Sequence, residues 1–298
     1  MTINDNRTDI LCRLDAMLVK EATSSARCVN YFRSCVGGGI DESCRLAMTT
    51  WLRQVQRQLD LSPDVVRIAL SIFDRYLSSG RGGSDRALRN KSDFQLAAIT
   101  AFYIAVKINE PVVLGIDMLL IVCRRAYTED DFVSMEMDIL SAINWSVSYH
   151  TAMDYARALL ELICEDECLP PCVARDLLGV CERRMDDAIA DIDLSCLSRS
   201  ELGTRCAARS LAENEFLSPV EKEAIWIRLS ESLIVDQSSM EGVASFQYLA
   251  RRASSFKPKV IVSKLDSSSR QLSSADISTY STAGSSSPIC ISCAARQA

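Results

Sequence analysis

Histidine is nearly absent from this sequence of 298 residues, which contains only His150. Cys–His catalysis needs a histidine beside an activated thiol, but no motif around any cysteine supports it and no second histidine exists. A Gly-rich phosphate loop is also missing, because "VGGGID" at 36–41 lacks both the Lys-Ser/Thr pair and a preceding strand. These absences count against a thiol enzyme and against a P-loop nucleotide-binding protein.

Basic residues are in the minority, since 33 lysines and arginines face 39 acids and the formal net charge is −6. A broad nucleic-acid footprint needs clustered basic residues on a basic domain. The apolar run from Leu96 to Val106 is far too short to span a bilayer, and the polar N-terminus has no apolar signal core. We therefore expect a soluble intracellular protein of the nucleus, the cytoplasm or both, with no nucleic-acid and no membrane partner.

Cysteine, by contrast, is plentiful, with 13 residues. An odd number scattered through apolar helical patterns is not the disulfide framework of a small secreted scaffold. The three cysteines of "CEDECLPPC" at 164–172 could bind zinc together with His150, but the two prolines break the ligand spacing. Reduced thiols that act as small apolar side chains are the better interpretation, and we expect no metal and no cofactor.

Helical periodicity dominates the sequence, and neither strand-like alternation nor Asn-Gly hairpin signals are found. Ser62 before Pro63 predicts a helix start, as does Thr128 before three acids that suit the positive helix end. The segment 93–109 is apolar on several faces, which predicts a central helix. Between these helices, "GRGGSDRALRNKSD" at 80–93 predicts a flexible, exposed loop. The fold class that follows is all-α.

The second half of the chain repeats the first more faintly. "LLGVCERRMDDAI" at 177–189 echoes "ALSIFDRYLSS" at 69–79, and each copy is followed by a helix with a double alanine. An offset of about 109 residues is too long for a solenoid unit and suits two copies of one five-helix domain. After about Ser254 the chain becomes Ser-rich and poor in large apolar groups, which predicts disorder. The predicted division is an N-terminal helix and linker over 1–40, a first domain over 41–148, a second over 149–254 and a disordered tail over 255–298.

Four stretches in this order and at these spacings resemble the N-terminal cyclin box, the helical module through which cyclins activate cyclin-dependent kinases. They are "CRLAMTTWLRQV" (44–55), "FDRYLSS" (73–79), "FQLAAITAFYIAVKINEP" (94–111) and "SMEMDILSAINWSVSYHT" (134–151). The resemblance covers about 9–160 well and 150–250 only by pattern. It implies two tandem cyclin-like domains in a non-catalytic subunit that binds and activates a cyclin-dependent protein kinase and controls cell-cycle progression. The short N-terminus, without a clear destruction motif, is more similar to D-type, P-type or algal and diatom cyclins than to mitotic ones.

The resemblance also implies roles for two charged pairs. Arg45 and Asp74 match an interior ion pair between the first two box helices. Lys107 and Glu136 match two surface residues that lie side by side and hydrogen-bond backbone groups of the kinase's mobile regulatory helix. The apolar contributors around that second pair would be Ile108, Phe132 and Leu140. Two alternatives stay open, since Lys107 can simply complement the helix dipole and each apolar residue can be plain core.

A groove that many cell-cycle cyclins use to dock substrates with basic peptides has its counterpart here as well. The matching positions are Cys44, Ala47, Met48, Trp51, Gln54 and Gln95. Gln54 replaces the acid that would meet a peptide arginine, which counts against docking of basic peptides.

Two other interpretations remain. A transcription or scaffold protein could use the same fold without activating a kinase, although the acidic balance counts against DNA binding. A helical enzyme lacks any convergent set of catalytic residues. In the tail, Ser287 precedes Pro288 and forms a minimal site for proline-directed kinases, and the tail could engage ubiquitin-ligase machinery.

Overall fold

The structure is a computed structural model. It describes residues 3–23, 28–34, 39–111, 114–147, 150–167 and 169–235. All regular secondary structure in these ranges is helical, so the all-α prediction is confirmed for the described chain. The predicted tail, with Ser287, lies outside the described residues. Among the described helices, none is both long enough and apolar enough to cross a membrane.

Twelve α-helices occupy the described residues, with a 3-10 turn at Tyr31–Ser34 between the first two. In chain order they are α1 (Ile3–Thr23), α2 (Glu42–Gln58), α3 (Pro63–Ser78), α4 (Ser84–Ala87), α5 (Lys91–Asn109), α6 (Ile116–Val122), α7 (Glu129–Ala142), α8 (Ala152–Asp166), α9 (Pro171–Ala190), α10 (Ile192–Ser195), α11 (Arg199–Glu213) and α12 (Pro219–Val235).

These helices divide into two compact units, and neither unit is continuous in sequence. The first, called the α5 unit here, holds the described residues of 26–149 and 189–196. The second, the α8 unit, holds those of 1–25, 150–188 and 197–271. Helix α1 therefore belongs with helices that come more than a hundred residues later, and the short segment around α10 belongs with helices that precede it.

Helix α5 is the core of its unit. From Phe94 to Val106 every residue except Tyr103 is buried. The double alanine at 97–98 is fully buried and lets α3 approach closely, and the Phe73 ring of α3 meets the Phe94 ring edge-on at 5.0 Å between centroids. A helix that is apolar on several faces is thus surrounded by neighbours, as its sequence predicts.

The segment at 80–93 is more ordered than predicted. The amide of Gly83 donates to Asp138 Oδ2 at 2.7 Å, and the Tyr76 hydroxyl donates to the same oxygen at 3.2 Å. The segment contains α4, whose Ser84 and Ala87 are buried. Its glycines, which suggested flexibility, instead leave room for the carboxylate, because a Cβ on Gly83 would lie 2.5 Å from Asp138 Oδ2.

A buried ion pair joins α2 to α3. Arg45 Nε donates to Asp74 Oδ1 at 2.9 Å and Nη2 donates to Oδ2 at 2.7 Å, and the two side chains are 1% and 4% exposed. The Tyr31 hydroxyl donates to Asp74 Oδ1 at 2.9 Å. Burial first, and then the Asp74 charge, hold the pKa of Tyr31 well above its ordinary value. A bidentate pair with a third donor satisfies charges that would be very costly to bury alone.

The same guanidinium holds a distant part of the chain. Arg45 Nη1 donates to the Ala190 carbonyl at 2.9 Å, and Nη2 donates to Ser195 Oγ at 3.1 Å. Burial alone would lower the pKa of Arg45, but the Asp74 carboxylate outweighs it and the pKa is raised. Arg45 therefore stays charged and fixes the segment around α10 within the α5 unit.

The α8 unit depends on one close helix contact. An ideal Cβ on Gly203 of α11 would lie 2.4 Å from the Ala152 carbonyl oxygen and 2.8 Å from Tyr155 Cβ, both on α8. Only glycine allows α11 this near to α8. Helix α1 packs on α8 as well, and there the Tyr155 hydroxyl donates to the Met17 carbonyl at 2.6 Å.

Gly203→Ala should lower the stability of the protein. Alanine in a helix is normally more stable than glycine by up to about 1 kcal/mol. At position 203 the added methyl group meets backbone, so we expect a net loss of about 1–3 kcal/mol in the free energy of unfolding, measured by urea denaturation. The matched control is Gly179→Ala in α9, where a Cβ meets only the Arg183 guanidinium at 3.6 Å, and it should be neutral or stabilising. A stabilised Gly203→Ala protein would contradict the close contact.

Asp74→Ala should be far more damaging than the loss of a surface ion pair. It leaves the buried Arg45 guanidinium without its counter-charge, which typically costs about 3–5 kcal/mol. The comparison is Arg86→Ala, which breaks a 2.8 Å pair with Asp93 whose arginine side chain is 67% exposed. That variant should lose at most about 1 kcal/mol. Equal losses in the free energy of unfolding for the two variants, measured by urea denaturation, would show that burial of an ion pair does not determine how much its loss destabilises the protein.

Candidate functional site

A charged pair lies at the surface of the α5 unit. Lys107, in the last turn of α5, donates from Nζ to Glu136 Oε1 on α7. The two side chains are 36% and 20% exposed, and Nζ also lies 4.3 Å from the centroid of the Tyr103 ring. An ammonium group has three donors and a carboxylate has about four acceptor sites, so the pair can bond further groups from outside.

The start of α7 fixes the position of Glu136. Thr128 Oγ1 accepts from the Asp131 amide at 3.2 Å, and Asp131 Oδ2 accepts from the Thr128 amide at 2.8 Å. These bonds form a capping box, which is the cap that the sequence predicts at Thr128. Hydrogen bonds from Thr128 hold the pKa of Asp131 below its ordinary value. A helix anchored at its first turn presents Glu136, two turns on, in a defined place.

Helix α7 has two apolar faces. One is buried and consists of Phe132, Met135, Ile139 and Ala142. The other runs through Glu136, with Val133 and Met137 each 50% exposed and Leu140 half-buried. Residues three and four apart share a helix face, so these apolar side chains flank the carboxylate. Ile108, directly after Lys107, is exposed too.

One of the predicted apolar contributors requires correction. Phe132 is only 1% exposed, and its ring meets the Tyr127 ring edge-on at 6.0 Å between centroids. Its spacing of three and seven residues from Met135 and Ile139 places it on the buried face of α7. Phe132 is therefore core and does not line the surface around the charged pair.

Val133 and Met137 are not among the contact residues predicted from the sequence. Both were available from the α7 pattern, because a single buried face of a 14-residue helix cannot account for apolar residues at 132, 133, 135 and 137 together. An apolar residue next in sequence to a core position points about 100° away from it. That offset predicts a second, outward apolar face around Glu136.

The six positions of the predicted docking groove do not form one open surface. Ala47 and Gln54 are exposed and Trp51 is half-buried. Cys44, Met48 and Gln95 are buried, because 44 and 48 lie on the α2 stripe that packs into the core. Within the described chain, Gln95 Nε2 has no hydrogen-bond partner.

The described residues offer no metal centre. Among them, no group of three or more His, Cys, Asp or Glu side chains could hold an ion. Cys168, one member of the zinc alternative, lies outside the described residues. His150 is half-buried, and burial holds the pKa of its imidazole below the ordinary value against the attraction of Asp154.

Comparison with known proteins adds to this geometry. Residues 14–148 match the family described as cyclin, N-terminal domain. The chain is 29% identical over 128 residues to Cyclin-B2-2 of Oryza sativa subsp. indica and 31% identical over 124 residues to G2/mitotic-specific cyclin-B3 of Canis lupus familiaris. It is 34% identical over 106 residues to G1/S-specific cyclin CCN1 of Candida albicans (strain SC5314 / ATCC MYA-2876). These matches cover 43%, 40% and 35% of the chain but only 29%, 9% and 14% of the respective relatives.

A solved structure shares the fold. The X-ray structure of a viral cyclin from herpesvirus saimiri aligns with a TM-score of 0.58 and 18% sequence identity, over 85% of this chain and 97% of the viral one. At that identity the likeness concerns the fold. The predicted cyclin box and the all-helical cyclin fold are thereby confirmed. Residues 14–148 of this chain form a domain of the cyclin N-terminal family.

Proposed function

We propose that this protein is a regulatory subunit that binds and activates a cyclin-dependent protein kinase and so acts in cell-cycle control. The observation that carries the proposal is the Lys107–Glu136 pair at the surface of the α5 unit, flanked by an outward apolar face of α7. The cyclin domain and the mitotic and G1/S names of its relatives support it. Because relatives of both kinds match at similar identity, the likeness to D-type, P-type or algal cyclins stays a prediction.

The charged pair suits recognition of backbone groups. Lys107 can donate to a partner carbonyl while Glu136 accepts from a partner amide, and backbone groups without intrahelical partners occur at helix ends. Val133 and Met137 then lose their remaining water contact beside the pair. Polar contacts surrounded by desolvated apolar side chains are the usual composition of an energetic centre in an interface.

Activation in this proposal is a population shift. A subunit that contacts the kinase's regulatory helix more favourably in the active position raises the population of that position. A shift from 1% to 99% active needs a difference in affinity of about 10⁴-fold. The phosphoryl transfer itself, with ATP and Mg²⁺, belongs to the kinase, and the cyclin contributes binding energy without a catalytic residue.

The decisive variant is Lys107→Ala combined with Glu136→Ala. Removing charged groups that bond a partner across an interface typically costs about 2–5 kcal/mol, which is roughly 30-fold or more in affinity. As helix-end charges alone they would cost about 0.3–1 kcal/mol of stability and nothing in binding. We expect the double variant to keep the melting temperature of the wild type. It should lose binding to, and activation of, whichever member of a panel of purified cyclin-dependent kinases the wild type binds, measured by calorimetry and kinase assay.

The matched control is Arg33→Ala with Asp193→Ala, which removes another surface pair of the same unit at 2.9 Å. This control should bind and activate normally. If the Lys107/Glu136 variant binds the kinase normally, Lys107 is only a helix-end charge and the pair is not the kinase-binding site. A wild-type chain that binds no kinase of the panel would favour the scaffold or transcription alternative.

Two adjacent residues of α7 should respond in opposite ways. Val133→Ser should change the free energy of unfolding by no more than about 0.5 kcal/mol. It should weaken kinase binding by roughly fivefold, because the outward side chain would no longer contribute about 1 kcal/mol of apolar burial to the complex. Phe132→Ala should instead cost about 3–5 kcal/mol of stability, since it empties a core position. Urea denaturation and calorimetry on both variants separate the two faces. A destabilised Val133→Ser protein with unchanged affinity would contradict this assignment.

A further inference from the structure

Two cysteines that are remote in sequence meet within the α5 unit. Cys28 Sγ lies 3.5 Å from Cys196 Sγ, and the residues are 168 positions apart. Both thiols are free and half-buried. A disulfide has an S–S distance of about 2.05 Å, so the sulfur atoms would need to approach by only about 1.5 Å to form one.

Other bonds hold the two segments together, so the sulfur contact does not depend on the thiols themselves. Asn30 Nδ2 and Arg33 Nη2 donate to the same Asp193 oxygen, at 2.8 Å and 2.9 Å. Ser195, directly before Cys196, accepts from Arg45 Nη2 at 3.1 Å. The thiols are thus kept near each other in every folded molecule, which gives the intramolecular reaction a large advantage over reaction between molecules.

The thiols differ in character. A hydrogen bond from Cys28 lowers the pKa of Cys196 and outweighs the opposing effect of burial. The same bond, followed by burial and the Asp74 charge, raises the pKa of Cys28 far above its ordinary value. Cys196 is therefore the thiol that becomes a thiolate first, and the thiolate is the reactive form. Cys28 remains the proton-bearing partner.

We propose that Cys28 and Cys196 form a reversible disulfide when the protein meets hydrogen peroxide. The Cys196 thiolate attacks one peroxide oxygen, the O–O bond breaks, and hydroxide leaves and takes up a proton. The sulfur of Cys28 then attacks the resulting sulfenic acid, the S–O bond breaks, and water leaves with the thiol proton. In total the two thiols lose two electrons and two protons, and one peroxide becomes two waters. A dithiol reductant reverses the step by exchange.

The Cys28–Cys196 disulfide would hold in place the segments that contact the buried Arg45–Asp74 pair. Tyr31, three residues after Cys28, donates to Asp74, and Ser195, next to Cys196, bonds Arg45. A disulfide here closes a very long loop, and long loops restrict the unfolded chain most. The oxidised protein should therefore melt several degrees higher than the reduced one. The inference stands apart from the proposed kinase binding.

Peptide mapping of the full chain tests the proposal. The protein is treated with a small excess of hydrogen peroxide, remaining thiols are blocked with N-ethylmaleimide, and trypsin is added. Cleavage at arginines releases the peptides 28–33 and 185–199, each with a single cysteine. We expect mass spectrometry to find these two peptides joined, in a protein that runs as a monomer on a non-reducing gel. Dithiothreitol should separate them and abolish the rise in melting temperature.

Variants complete the test. Cys28→Ser and Cys196→Ser should each abolish the linked peptide and the peroxide-induced rise in melting temperature. Cys12→Ser and Cys172→Ser, which alter two exposed thiols of the α8 unit, should leave both intact. Oxidation of Cys196 to sulfinic acid without a linked peptide would overturn the proposal. So would a link that occurs only in covalent dimers, and both results can be read on the wild-type chain even if a variant folds poorly.

Discussion

The Arg45–Asp74 ion pair is the constraint on which the α5 unit depends. Taking an arginine out of water is permissible only where every part of the guanidinium finds a partner. Here the partners come from three places, Asp74 on α3, the Ala190 carbonyl and the Ser195 hydroxyl, and Asp74 receives Tyr31 in addition. Apolar packing would tolerate small shifts among these segments. A fork of fixed hydrogen bonds does not, so the pair defines how four parts of the chain meet.

The surface pair is organised by the same helices that form the core. Lys107 lies in the last turn of α5, the central helix of the unit, and Glu136 lies on the outward face of α7, a capped helix. Neither residue sits on a loop. Side chains on rigid helices lose less freedom when they bind a partner, which leaves more of their interaction energy for affinity. The core and the candidate partner surface are consequently two sides of the same elements.

Local features of the sequence predicted local structure well. The caps at Ser62 and Thr128 and the central position of α5 follow from residue order alone, because each depends on neighbours within a few positions. The meeting of Arg45 with Asp74, and of Lys107 with Glu136, was accessible only through the family resemblance. Periodicity gives each helix an apolar face but does not say which helix covers it.

Contacts between residues far apart in sequence could not be predicted for that same reason. Nothing near Arg45 in sequence indicates Ser195, and nothing near Cys28 indicates Cys196. The outward face of α7 was missed for a different reason, since one apolar stripe explained enough of the helix to hide a second. The glycines at 80–83 suggested a free loop because the sequence alone does not reveal that Asp138 fills the space they leave.

Because the α5 unit is divided in sequence, its two parts are synthesised at different times. Arg45 is made 145 residues before Ala190 and 150 before Ser195. At about 5–20 residues per second, the guanidinium waits roughly 7–30 s for these two acceptors. During that interval water must accept these guanidinium hydrogen bonds, so that side of the nascent unit stays hydrated. The α5 unit is thus completed only after helices α8 and α9 have been translated, although most of its own helices lie before residue 149.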